Sequence, residues 1–302
     1  MKKKILAIAL IGAMAASLAA CGGNSSENSS ASGTSDSSSS SEASSVSESS
    51  SSSSEASSES ADSSSAEESD MQYVIDKGTL VVGITNFEPM DYQDADGNWI
   101  GFDADLATAF AESLGVEVQF QEIDWNSKIL ELDGKTIDCV WNGMTLTDEV
   151  LNSMETTNAY CNNAQVVIVK SDVADQYQDV ESLADLNFAV EAGSAGADAA
   201  AENGFSYTEV QNQAAALMEI AAGTSDAAII DSLMAAAMIG EGTSYEDLTY
   251  TVSLTSEEYG VGFRKGSDLA QELNTFFENA YADGTMQSVA ETYGVQAALI
   301  EQ

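Results

Sequence analysis

Hydrophobic and polar positions alternate along this chain in two periods that succeed one another. Leu80-Val81-Val82-Gly83-Ile84 is a short apolar run and reads as a buried strand. Phe102, Leu106, Phe110 and Leu114 recur every four residues, one face of a helix that Asp103 is expected to cap and Gly115 to stop. Val116, Val118 and Phe120 alternate with polar residues as a strand, and Ile129 and Leu132 predict a short helix. Ile137 to Trp141 and Val166 to Val169 are strands again. The order then repeats. Strands are predicted at Phe188–Val190, Tyr207–Val210 and Ala227–Ile230, and helices at Ala197–Glu202, Ala214–Ala222 and Leu233–Ile239. A further apolar segment, Tyr259 to Phe263, precedes helices around Leu269–Tyr281 and Met286–Tyr293. Two successive α/β runs predict two lobes with a cleft between them. Ligands in open α/β sheets sit beyond the carboxyl ends of strands, here Phe87, Asn142 to Thr145, Glu191 to Ser194, and Asp231.

The first seventy residues follow neither period. Lys2, Lys3 and Lys4 precede an apolar run from Ile5 to Ala20, too short to span a bilayer with margin, which fits a secretory leader over residues 1–20. It closes on Leu18-Ala19-Ala20-Cys21, which resembles a bacterial lipoprotein cleavage site. That resemblance implies that Cys21 becomes a lipidated N-terminus anchored to the outer face of the cell membrane. Residues 21–70 are mostly serine with a single valine, Val46, too little apolar surface to fold. A Ser-rich coil of that length spans about 40 Å.

Composition narrows the chemistry. The formal charge of −41 opposes nucleic-acid binding. The sequence contains no histidine, which excludes Ser-His-Asp triads and histidine metal sites. No metal or other cofactor is expected. After Cys21 only Cys139 and Cys161 remain, either as two buried thiols or as a disulfide.

Several segments in order carry a resemblance: "GTLVVGITNFEPMDY", "DADGNWIGFDADLATAFAESLGVEVQF", "WNSKI", "KTIDCVWNGMTLT", "AVEAGSAG", "AAIIDS", "EEYGVGFRKG" and "ADGTMQSVAETYG". They resemble the extracellular solute-binding proteins of amino-acid ABC transporters, over essentially Lys77 to Gly294. The resemblance implies an α/β, two-lobed, periplasmic-binding-protein-like (type II) fold with a ligand cleft between the lobes. Residues 71–163 plus 257–302 would form lobe 1 and residues 164–256 lobe 2, with Tyr160 and Tyr259 near the hinge crossings. It further implies that Phe87 and Trp125 sandwich the ligand, that Asn142, Gly143 and Thr145 meet its amino and carboxyl groups, that Ser194 takes its carboxylate at a helix N-terminus, and that Asp231 binds its α-ammonium. Glu191 adds negative charge. Trp99 and Trp141 read as packing.

The chain departs from that pattern twice. Val150 stands where the family has an arginine that pairs with the ligand carboxylate, and Ala195 stands where the family commonly has Ser or Thr. Lys128 is the one basic residue placed to stand in. The expected ligand is a small amino acid or amine, with amines favoured, held by a monomer that delivers it to ABC permease subunits. A ligand-sensing surface receptor is the alternative within binding functions. A lyase or dehydratase using carboxylates such as Glu191 and Asp231 is the enzymatic one, and the chain is read as not an enzyme.

Overall fold

The computed structural model describes residues 69–302. The leader, Cys21 and nearly all of the serine-rich tether lie outside the described residues.

Helix α1 (Asp70–Lys77) opens the fold, capped by Ser69, whose Oγ accepts from Gln72 N, and stopped by Gly78 in the left-handed region. Strand β1 (Thr79–Ile84) follows, then a small hairpin of β2 (Tyr92–Gln93) and β3 (Trp99–Ile100). Helix α2 (Phe102–Leu114), β4 (Glu117–Glu122), α3 (Lys128–Asp133), β5 (Cys139–Thr145), α4 (Asp148–Ser153), β6 (Met154–Thr156) and β7 (Cys161–Asn163) complete the first run. The second comprises β8 (Gln165–Lys170), β9 (Asn187–Glu191), α5 (Ala195–Glu202), β10 (Ser206–Val210), α6 (Gln213–Ala222), β11 (Ala227–Asp231), α7 (Ser232–Met238) and β12 (Leu248–Ser253). Strand β13 (Glu257–Arg264) and helices α8 (Leu269–Ala282) and α9 (Thr285–Tyr293) end the chain.

These strands form two sheets. One has the order β4-β1-β5-β13-β6, with β7 also paired to β13. The other has the order β10-β9-β11-β8-β12. In each, parallel strands meet one or more antiparallel partners: β13 runs against β5, β6 and β7, and β8 runs against β11 and β12. The chain leaves the first sheet between Asn163 and Gln165 and returns between Ser253 and Glu257, so α8, α9 and β13 rejoin elements formed much earlier in the sequence.

Burial follows the two-sided strand pattern. Along β8, Val166 and Ile168 enter one apolar cluster while Val167 and Val169 enter another with Leu183, Phe188 and Phe205. Covered on both faces, such a strand reads as a continuous apolar run. Trp141 is fully buried, edge-on to Phe110 and Phe277. Trp99 is half-buried against the same core.

One expectation needs correction, and one alternative is resolved. Gly101, not Asp103, precedes the first turn of α2. Asp103 is fully buried, and its Oδ2 accepts from Gly143 N (2.7 Å) and the Tyr160 hydroxyl (2.8 Å). Tertiary donors, not the helix end, claim this side chain. Cys139 and Cys161 are both free and buried. They oppose Phe263 and Tyr259 on β13, offset by about 13 Å along the strand, beyond disulfide reach.

An ion network pins α1 to the first sheet. Buried Asp138 accepts from Val81 N (2.7 Å) and pairs with Lys77, while Arg264 bonds Asp70 (2.9 Å) and donates to the Ile137 carbonyl (2.8 Å). Each charge has a partner, the condition under which buried ions are tolerated.

Candidate functional site

The carboxyl ends of β1, β5, β9 and β11 converge on one narrow cavity, and all ten predicted cleft residues line it. Phe87 lies in the turn after β1, with its backbone N–H bonded to the Asp91 carbonyl (2.7 Å). Its ring stands edge-on to Tyr259 (centroids 6.4 Å). Trp125 begins the short turn before α3 and is buried against Val140, Met144 and Val150.

Strand β5 supplies Asn142, Gly143 and Thr145. Asn142 Oδ1 accepts from Thr85 N, while its Nδ2, buried in the cavity wall, has no partner among the described residues. Gly143 has φ +54°, and a Cβ there would lie 2.5 Å from the Phe87 ring. Glycine is what lets this backbone pass beneath the aromatic.

From the second sheet come Glu191, Ser194, Ala195 and Asp231. Ser194 is the N-cap of α5, its Oγ accepting from Ala197 N (3.2 Å). Ala195 and Gly196 lead the first turn, where backbone N–H groups have no intrahelical acceptor. Asp231 ends β11 as an acceptor hub. Its Oδ1 takes bonds from Asn163 Nδ2, Gln165 Nε2 (2.9 Å) and the Tyr259 hydroxyl (2.8 Å), and its Oδ2 from Gln213 Nε2. Burial first, then the charge of Glu257, push its carboxyl up to about 7, against the pull of Gln213, Tyr259 and Gln165. Glu191 is 3 % exposed, and its Oε1 accepts no hydrogen bond from any described residue.

Val150 is buried and presents only hydrocarbon, packing with Trp125, Met144 and Met154. Lys128 is the sole basic residue lining the cavity. Its Nζ donates to the Gly193 carbonyl (3.0 Å), crossing from the first sheet's elements to the second's, and stands 5.1 Å from the Trp125 ring centroid. Burial lowers its proton affinity, while Glu149, Glu191 and Asp198 support its charge. The cavity therefore offers four carboxylates against one ammonium.

Sequence reasoning missed Thr85, Gln165, Gln213, Glu149 and Asp198 as lining residues. Thr85 was accessible by the strand-end rule, since it follows β1 directly. Gln165 was not: it faces Asp231 only through the antiparallel register of β8 and β11. Gln213 opens α6, eighteen residues before the aspartate it binds.

Comparison with known proteins agrees with this architecture. The arginine-binding extracellular protein ArtP of Bacillus subtilis is 31% identical over 230 residues, covering 72% of this chain and 86% of ArtP. The crystal structure of an ancestral amino acid-binding protein, a precursor of cyclohexadienyl dehydratase, matches with TM-score 0.68 at 31% identity, covering 74% of this chain and 99% of that one. An ABC uptake transporter substrate-binding protein from Streptococcus pneumoniae, with bound histidine, matches with TM-score 0.69 at 29% identity over 76% of this chain and 98% of that one. The fold is thus the two-lobed type II arrangement of amino-acid-binding proteins. The profile described as bacterial extracellular solute-binding proteins, family 3, spans residues 80–296, and this chain belongs to that family.

Proposed function

We propose that this protein captures a small cationic ligand, an amino acid with a basic end or a related amine, and presents it to an ABC importer. The observation that carries the reading is the charge of the cleft: Glu149, Glu191, Asp198 and Asp231 around a single ammonium, with the rings of Phe87 and Trp125 on its walls. Aromatic faces attract cations, and the acids repel anions. With Val150 in place of a guanidinium, a ligand carboxylate would find only Lys128 and the first N–H groups of α5, a weaker clamp than a bidentate arginine. Similarity to an arginine-binding and a histidine-bound protein supports the same class. Cys21 would carry the lipid anchor, the lobes would divide at residues 163/164 and 256/257, and the monomer would act as a binder without turnover.

Isothermal titration calorimetry on the purified chain checks this. L-arginine and its decarboxylated amine, agmatine, should both bind, each at least about a hundredfold more tightly than L-glutamate, a difference of about 2.7 kcal/mol. Tighter binding of glutamate than of either cation would refute the cationic class.

The cleft is narrow, and Gly193 shows why closing needs a glycine. Its φ is +68°, and a Cβ there would lie 2.8 Å from Asn126 Cα, on the opposite side of the cleft. Gly193→Ala should therefore prop the lobes apart. Arginine affinity should fall about tenfold, with only about 1 kcal/mol of folding stability lost to the left-handed backbone. Small-angle scattering with saturating arginine should give a larger radius of gyration than the wild type; an unchanged radius and affinity would mean the contact does not limit closure.

A further inference from the structure

Of the two buried acids in the cleft, one is saturated and the other is open. Asp231 receives four side-chain hydrogen bonds. Glu191, at the end of β9, keeps Oε1 buried without a donor, and among the described residues no lysine or arginine stands within ion-pair distance of it. The groups around it are Asp231 from β11, Lys128 from α3, Gln213 from α6 and Thr85 beyond β1. Glu149 and Asp198 line the same cavity farther along the α4 and α5 walls, and Glu257 stands behind Asp231. Lys128, the single cation, donates to the carbonyls of Gly193 and Trp125 instead of to Glu191.

A buried carboxylate without a counter-ion is costly and is relieved by taking up a proton or a cation. We propose that Glu191 does both in turn: it carries a proton while the cleft is empty, and a cationic group of the ligand replaces that proton, so that capture expels one proton to solvent. No other bond changes. The Glu191 O–H gives its proton to water, and the resulting carboxylate pairs with the incoming ammonium or guanidinium. The inference rests on the cationic reading of the cleft proposed above. It is consistent with the electrostatics: burial first, then the charge of Asp231, push the Glu191 carboxyl up to about 8, with Lys128, Gln213 and Thr85 pulling the other way. A guanidinium or an alkyl ammonium keeps its charge to about pH 10, so when such a group pairs with Glu191 only the protein's proton is exchanged across neutral pH.

Two measurements on the full chain test it. In the unliganded protein labelled with carboxyl-¹³C glutamate, NMR titration should show one resonance changing near pH 8 that is absent from Glu191→Gln. If every glutamate carboxyl titrates below about pH 6, the proposal is overturned with no ligand involved. Calorimetry with L-arginine at pH 7, in phosphate and in Tris, should count about one proton released per arginine bound to the wild type and none to E191Q. The dissociation constant should fall about tenfold from pH 6 to pH 7 and level off above pH 8. Arginine binding without proton release overturns the exchange and leaves the cationic reading standing; failure of both arginine and agmatine to bind removes the two together.

Discussion

Replacing Asp231 by alanine is expected to lower the melting temperature by on the order of 10 °C and, by loosening the walls of the cleft, to weaken capture of L-arginine. Its carboxylate joins both halves of the molecule. Asn163 and Tyr259 reach it from β7 and β13 of the first sheet, and Gln165 and Gln213 from β8 and α6 of the second. Asn163 and Gln165 also donate to Glu257 Oε1 (2.7 and 2.6 Å), so two carboxylates are bridged by the same amides. Removing the aspartate strands buried donors on both sides of the crossing. Breaking a buried charged network of this kind costs about 3–5 kcal/mol, and about 2–4 °C accompanies each kcal/mol in a chain of this size. Asp231→Asn retains one acceptor oxygen and should lose about half as much stability. Circular dichroism melts with parallel calorimetry decide the matter: an alanine variant that melts and binds like the wild type would show that the hub is incidental.

That hub also marks where sequence reading reached and where it stopped. The alternation of strand and helix was legible because buried two-faced strands such as β8 and β11 are continuous apolar runs. The strand-end rule found Phe87, Asn142, Glu191 and Asp231 because their position depends on connectivity alone. Strands β6 and β7 were illegible, being three residues each with little apolar content. Strand β12 is illegible too, because its threonines and serine alternate with one buried residue, Leu248, one exposed, Tyr250, and one half-buried, Val252. Contacts were harder still. Asp103 looked like a helix cap from its place before an apolar face, but Gly143 and Tyr160, 40 and 57 residues away, claim its carboxylate. Nor could spacing distinguish Asp231, with four donors, from Glu191, with an open oxygen. Lys128 is the only basic candidate the sequence offers near the aromatic pair; its bond across the cleft to Gly193 is visible only in the fold.

The acids held inside this protein should invert the usual dependence of stability on pH. Burial is the largest cause at each of three sites, pushing Asp103 and Asp231 up to about 7 and Glu191 up to about 8. The folded chain therefore binds protons that the unfolded chain has already released above about pH 4. Stability is fully present below the unfolded value and falls as pH rises through the folded ones. A carboxyl whose proton affinity rises about a thousandfold on folding withdraws about 4 kcal/mol once both states have ionised. Between pH 5 and pH 9 the unliganded protein should consequently lose on the order of 10 °C or more in melting temperature. Glu191→Gln isolates one contribution: it should melt close to the wild type at pH 5 and several degrees above it at pH 9, because the amide carries no charge to desolvate. Saturating arginine should narrow the same gap, since a bound cation relieves the charge that the substitution removes. A melting temperature that rises steadily from pH 5 to pH 9, or an E191Q curve parallel to the wild type, would mean that these acids are ionised and compensated in the empty cleft.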